Sequence, residues 1–157
     1  MYKRKYTGKG IGVAILDTGI FPHIDFGRRI LAFCDFTEGK SGPYDDNGHG
    51  THVSGILGGD GTASQGRYKG AAPGCGIVAL KVLDRFGNGS REDVLQAFQW
   101  IEDFGKIYNI RIVNISVGTT SRSMNEQTDL LAGVEQLWDK GFTVVAAAGN
   151  QGPGDGT

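Results

Sequence analysis

The sequence predicts an α/β fold in three layers, α/β/α, built on a mostly parallel sheet. Short apolar runs rich in β-branched residues recur along the chain, segments with helical spacing separate them, and polar or glycine-rich stretches close each run. Strands that alternate with helices need crossover connections, which lay helices on both faces of a parallel sheet. A length of 157 residues favours one domain and is enough to bury a real core.

In chain order, residues 11–17 form the first apolar run, which ends at Thr18-Gly19 as a strand entering a turn. Residues 29–36 predict a second, weaker strand, and residues 37–47 are polar and turn-rich. Residues 49–57 predict a helix that enters the core through Val53, Ile56 and Leu57. Residues 60–69 read as a polar, glycine-rich loop, and 77–83 as a buried strand followed by a loop at 84–89. Ser90 with Asp93 three residues later resembles a helix start, continued at helical spacing by Val94, Leu95, Phe98 and Ile101. A strand follows at 110–117. Leu130, Leu131, Val134, Leu137 and Trp138 then mark another amphipathic helix ending near Gly141, and residues 142–148 are the last strand. Parallel sheets bind ligands beyond the carboxyl ends of their strands. Asp17, Ser116, Val117, Gly118, Gly149 and Asn150 all fall at such ends.

Composition narrows the partners. Apolar residues make up 39% and charged residues 21%, and the formal net charge of −1 gives no footing for nucleic acid. No apolar run has the length of a membrane span, and the opening Met-Tyr-Lys-Arg-Lys-Tyr carries no apolar signal region behind its charges. The 27 glycines imply tight turns and close approaches of backbone to backbone or ligand. Cys34 and Cys75 are too few for a disulfide framework and read as small buried thiols, a bridge or a reactive thiol being the alternatives.

Three motifs bear chemistry. In Ala-Ile-Leu-Asp-Thr-Gly (14–19), an aspartate directly after an apolar strand can be held rigidly, orient a histidine and stabilise its charged form. The same tripeptide also suits aspartic proteases, phosphoryl-transfer folds or a plain turn. In Asp-Asn-Gly-His-Gly-Thr-His-Val-Ser-Gly (46–55), His49 lies between two glycines at a helix start, uncrowded and at the dipole end that disfavours an imidazolium. His52 could form a metal pair with it, but a third ligand at matching spacing is absent, so a packed or hydrogen-bonded helix histidine is expected. In Val-Val-Ala-Ala-Ala-Gly-Asn-Gln-Gly-Pro (144–153), small residues leave an open slot, and Asn150 can aim its amide at developing negative charge. A fourth element, Asn-Ile-Ser-Val-Gly (114–118), could grip an extended peptide together with Gly87, Asn88 and Gly89.

In order and approximate spacing, residues 14–19, 49–55, 114–118 and 146–151 resemble the motifs of the subtilisin-like serine proteases. Residues 6–10, 43–48, 68–73 and 81–84 look most like the bacterial intracellular alkaline type. The resemblance implies a serine endopeptidase with Asp17 as triad acid, His49 as general base and Asn150 as oxyanion donor. It implies that Ser116, Val117 and Gly118, with Gly87, Asn88 and Gly89, flank a bound polypeptide as strands. Ala147, Ala148 and Gly149 would wall the pocket for the residue before the scissile bond. Asp25 matches a position that often ligates calcium, so calcium is expected only as a structural ion, and no cofactor is required for chemistry.

The family's nucleophile lies in a Gly-Thr-Ser-Met-Ala segment after the Gly-Asn motif. None of the seven serines sits in such a segment, nor in a Gly-x-Ser-x-Gly elbow. Residues 1–157 are therefore expected to be the N-terminal part of a catalytic domain, inactive alone. The rest of the domain, or self-association, would then cover its exposed apolar surface. A non-catalytic peptide-binding protein is the alternative. The subgroup resembled and the free cysteines point to the cytoplasm, with secretion left open.

Overall fold

The computed structural model describes residues 6–117 and 124–147. Among them, strands β1 (Gly12–Asp17), β2 (Ile30–Asp35), β3 (Gly76–Lys81), β4 (Ile110–Ile115) and β5 (Thr143–Ala146) form one parallel sheet in the order β2-β3-β1-β4-β5. Helices α1 (His49–Gly58), α2 (Arg91–Phe104) and α3 (Met124–Asp139) connect β2 to β3, β3 to β4 and β4 to β5. The predicted α/β class and the order of elements are those observed. Two short 3-10 turns, Ile24–Phe26 and Thr62–Ser64, were not expected, the second lying inside the predicted loop at 60–69. No described helix is long and apolar enough to cross a membrane.

β1 is the central strand and is buried along its whole length. A parallel strand covered on both faces must be apolar on both, which explains its unbroken run of small and branched residues. Ala14 and Leu16 join Val78, Leu80, Val113 and Ile115 on one face, under Val94, Ala97, Phe98 and Ile101 of α2 and Leu137 of α3. Val13 and Ile15 join Ile77 and Ala79 on the other, where Val53 and Leu57 of α1 pack. The helices thus lie on both faces. The three helical crossovers step across the sheet in the same direction. With α1 on the opposite face from α2 and α3, its crossover has the opposite hand, and such parallel connections are right-handed in about 98% of cases.

The helices differ from expectation in which residues they bury. α1 turns Gly50, Ser54 and Gly58 inward, and Ile56 is 62% exposed. At about 100° per residue, Ile56 stands some 200° around the helix from Ser54, so once the small residues face the sheet Ile56 must face water. Val53 and Leu57 flank the contact and do reach the core. In α3, Leu130 and Val134 pack with buried Leu137, whereas Leu131 and Trp138 lie well off that line and are exposed. α2 begins as predicted. The Ser90 hydroxyl accepts from the Asp93 N–H at 3.0 Å, and the Asp93 carboxylate accepts from the Ser90 N–H, forming a capping box.

Candidate active site

Asp17 ends β1, has no solvent exposure and lies in register with Lys81 at the end of β3. His49 is the first residue of α1, and its Nδ1 stands 2.8 Å from Asp17 Oδ1 and 3.0 Å from Oδ2. Thr18 N–H donates to Asp17 Oδ1 at 2.7 Å. A carboxylate can only accept, so Nδ1 carries the proton of this contact, and in the neutral ring Nε2 keeps its lone pair. The His49 side chain is 55% exposed. The pair therefore couples a fully buried anion to a base that is open to solvent.

The side chains of Asp45, Thr18 and Thr51 hold the carriers of this pair together. Asp45, just ahead of α1, accepts from the N–H groups of Asn47, Gly48 and Thr51 at 3.1, 2.8 and 2.9 Å. It also accepts from the hydroxyls of Thr18 and Thr51 at 2.9 and 2.5 Å. Thr18 Oγ1 in turn accepts from Gly50 N–H at 2.9 Å. Gly48 caps α1 with no side chain of its own, so the Asp45 carboxylate supplies the missing acceptor and suits the positive end of the helix dipole. Burial would push the Asp45 carboxyl up, but its hydrogen bonds, led by the Thr51 hydroxyl, outweigh burial and hold it at about 2.

Lys81 is fully buried, and its Nζ donates to Thr18 O at 2.7 Å, Leu83 O at 2.7 Å and Asp46 Oδ1 at 2.8 Å. All three of its protons are thus used, and its Nζ lies 5.1 Å from the centre of the Tyr44 ring. At the end of β2, Asp35 accepts from Tyr44 Oη at 2.7 Å and from the N–H groups of Thr37, Glu38 and Lys40, gathering the following loop. Burial opposes the charge on Asp35, yet those bonds, led by that of Tyr44, hold its carboxyl at about 2. Burial, then the neighbouring Asp35, raise the Tyr44 phenol.

The other expected site residues share this edge where they are described. Ser116 follows β4, donating its N–H to Leu16 O at 3.3 Å and accepting from Asn114 Nδ2 at 2.7 Å, while Val117 packs against the core. Gly87, Asn88 and Gly89 form an exposed turn beyond β3, tied by Asp84 N–H to Asn88 O at 2.7 Å and Asn88 N–H to Asp84 Oδ1 at 2.9 Å. Ala147, exposed, donates its N–H to Ile115 O at 3.1 Å. Gly118, Ala148, Gly149 and Asn150 lie outside the described residues.

Some expectations change. His52 is exposed rather than packed, because it shares the outer face of α1 with Ile56 four residues on. Asp25 sits in the first 3-10 turn, with Oδ1 accepting from Ala63 N–H at 2.6 Å. Cys75 is buried and Cys34, on the edge strand β2, only half so; both are free, and burial raises both thiols, Cys34 with added help from Asp35. The sequence reading did not single out Thr18, Asp45 or Lys81. Lys81 had a signal, being the one cation in an apolar strand, and a buried charge needs a partner.

The model of the subtilase family matches residues 8–157. The serine protease AprX of Bacillus subtilis (strain 168) is 41% identical over 152 residues, which is 94% of this chain and 34% of that protein. The minor extracellular protease Epr of the same organism is 40% identical over 156 residues, 98% of this chain and 22% of Epr. Among solved structures, the S41 psychrophilic protease superposes with a TM-score of 0.80 at 35% identity, covering 95% of this chain and 48% of that one. A cold-adapted subtilisin-like serine proteinase gives 0.77 at 30% identity, covering 96% and 50%. The chain thus spans about a third or less of those two curated relatives and about half of the solved structures.

Proposed function

Because the chain belongs to the subtilase family, we propose that it supplies the acid and the base of a serine endopeptidase that hydrolyses peptide bonds. The observation that carries this reading is the bond from His49 Nδ1 to the buried carboxylate of Asp17. Asp17 fixes the imidazole tautomer and orientation, and it stabilises the imidazolium that forms. His49 Nε2 takes the proton from a serine hydroxyl as its oxygen attacks the peptide carbonyl, then returns the proton to the leaving amine. That serine is assigned to a segment outside these 157 residues. Asn150 donates to the oxyanion. The polypeptide lies extended between Ser116, Val117 and Gly118 on one side and Gly87, Asn88 and Gly89 on the other, with Ala147, Ala148 and Gly149 walling its pocket. No cofactor enters this chemistry.

The test uses the full-length protein with a fluorogenic peptide and a serine-directed fluorophosphonate. His49→Ala is expected to lower kcat by about 10⁶-fold, the scale known for a triad histidine in a subtilisin, and to abolish labelling. Asp17→Asn should cost roughly 10⁴-fold. Hydrolysis that survives His49→Ala within tenfold would overturn the assignment. Peptide binding without any hydrolysis by the wild type would make the chain a binding module instead.

A further inference from the structure

Family resemblance places a calcium ligand at Asp25, and the groups around it do not fit the ion. Calcium takes about six to eight oxygens at roughly 2.3–2.6 Å. Here the Asp25 carboxylate accepts from Ala63 N–H, and the Asp60 carboxylate accepts from the N–H and hydroxyl of Thr62 at 2.8 and 2.6 Å. The carbonyl of Gly61 is turned onto the N–H groups of Ser64 and Gly66, at 3.0 and 2.7 Å. One carboxylate oxygen of Asp25, one of Asp60 and the Gly61 carbonyl thus already accept from donors within residues 62–66. Among the described residues, no three side chains of metal-binding type converge.

A cation is present at this corner all the same. Arg29 is partly buried, and its Nη1 donates to Gly58 O at 2.6 Å and to Cys75 O at 3.2 Å. Its Nη2 donates to Asp25 O and stands 3.6 Å from Asp60 Oδ2. Three carbonyls and a carboxylate are hard oxygen donors of the kind calcium takes, and all four face the guanidinium. Gly58 is also the last residue of α1, where the negative end of the helix dipole favours a cation. The planar fork lets one side chain reach several acceptors at once.

We propose that Arg29 is a built-in structural cation standing in place of bound calcium. It ties together four segments: the 3-10 turn at Asp25, the end of α1, the loop that begins at Asp60, and the residue before β3. The stability of this corner then does not depend on calcium. The opposite end of α1 carries His49, so the clamp also fixes the helix that presents the base. This inference does not rest on the proposed chemistry, because its readout is local protection and not activity.

The experiment is amide hydrogen exchange on the full-length protein, read over residues 58–75, with millimolar calcium or with excess EGTA. Wild-type protection is expected to be the same in both. Arg29→Gln should exchange there roughly tenfold faster or more, from loss of charged hydrogen bonds. Arg29→Lys, a point charge without the fork, should fall between. Protection of the wild-type segment that rises with calcium would overturn the proposal. So would wild-type exchange rates in Arg29→Gln. If Arg29→Gln does not fold, the wild-type comparison decides alone, since a calcium site would respond to EGTA.

Discussion

Lys81 and Asp45 touch no expected substrate position, yet they join the strand that carries Asp17 to the segment that leads into His49. Lys81 is buried but its ion-pair partner Asp46 is at the surface, so removing Lys81 chiefly leaves the buried carbonyls of Thr18 and Leu83 without their donor. Lys81→Met is therefore expected to lower stability by about 1–3 kcal/mol in urea denaturation. Adding Asp46→Asn should recover part of that loss, because it removes the charge left without its partner. Full additivity of the two substitutions would show that the pair is not coupled. Asp17 and His49 were legible in the sequence because each sits in a motif whose chemistry is local. Asp45 was not, because a surface turn aspartate and a five-bond keystone look alike until the threonines at 18 and 51 are folded against it.

α1 shows how an element sets the site. Its buried stripe of Gly50, Ser54 and Gly58 lets the helix axis come close to the sheet, which brings His49 within hydrogen-bonding distance of Asp17. A Cβ at Gly50 would stand 2.3 Å from Gly19 O, a backbone atom that no side-chain rotation can move aside. Gly50→Ala must therefore lift the helix start. We expect a loss of about 1–3 kcal/mol in thermal denaturation and, in the full-length protein, a fall in kcat of roughly 10²-fold from misplacement of the base. Gly55→Ala is the control. A Cβ there meets nothing within 4 Å, so it should stabilise the helix by up to about 1 kcal/mol and leave kcat unchanged. The existence of α1 was readable from sequence. Its buried face was not, because glycine and serine carry no hydrophobic signal and the large residues that do carry one only flank the contact.

The acid response belongs to the whole molecule, because Asp35 and Asp45 brace loops at separate strand ends. Both carboxyls are held at about 2 against an ordinary 3.8. A depressed folded pKa gives stability that is complete above the unfolded value and is lost as pH falls through the folded one. Melting temperature should therefore hold down to about pH 4 and fall between there and about pH 2, with a shallower fall in Asp45→Asn. Equal slopes in the two proteins would remove Asp45 from this account. The sequence by itself determined the α/β class, the order of strands and helices, and which acid and base to watch. Those follow from side-chain period along one segment and from short motifs. Only the tertiary structure decided the strand order, the hand of the α1 crossover, the face each helix buries and the cation at Asp25. It also decided that Asp17 and His49, 32 residues apart, meet at 2.8 Å. Those outcomes depend on contacts between distant segments, and burial and close packing give such contacts their energy only after the chain has closed on itself.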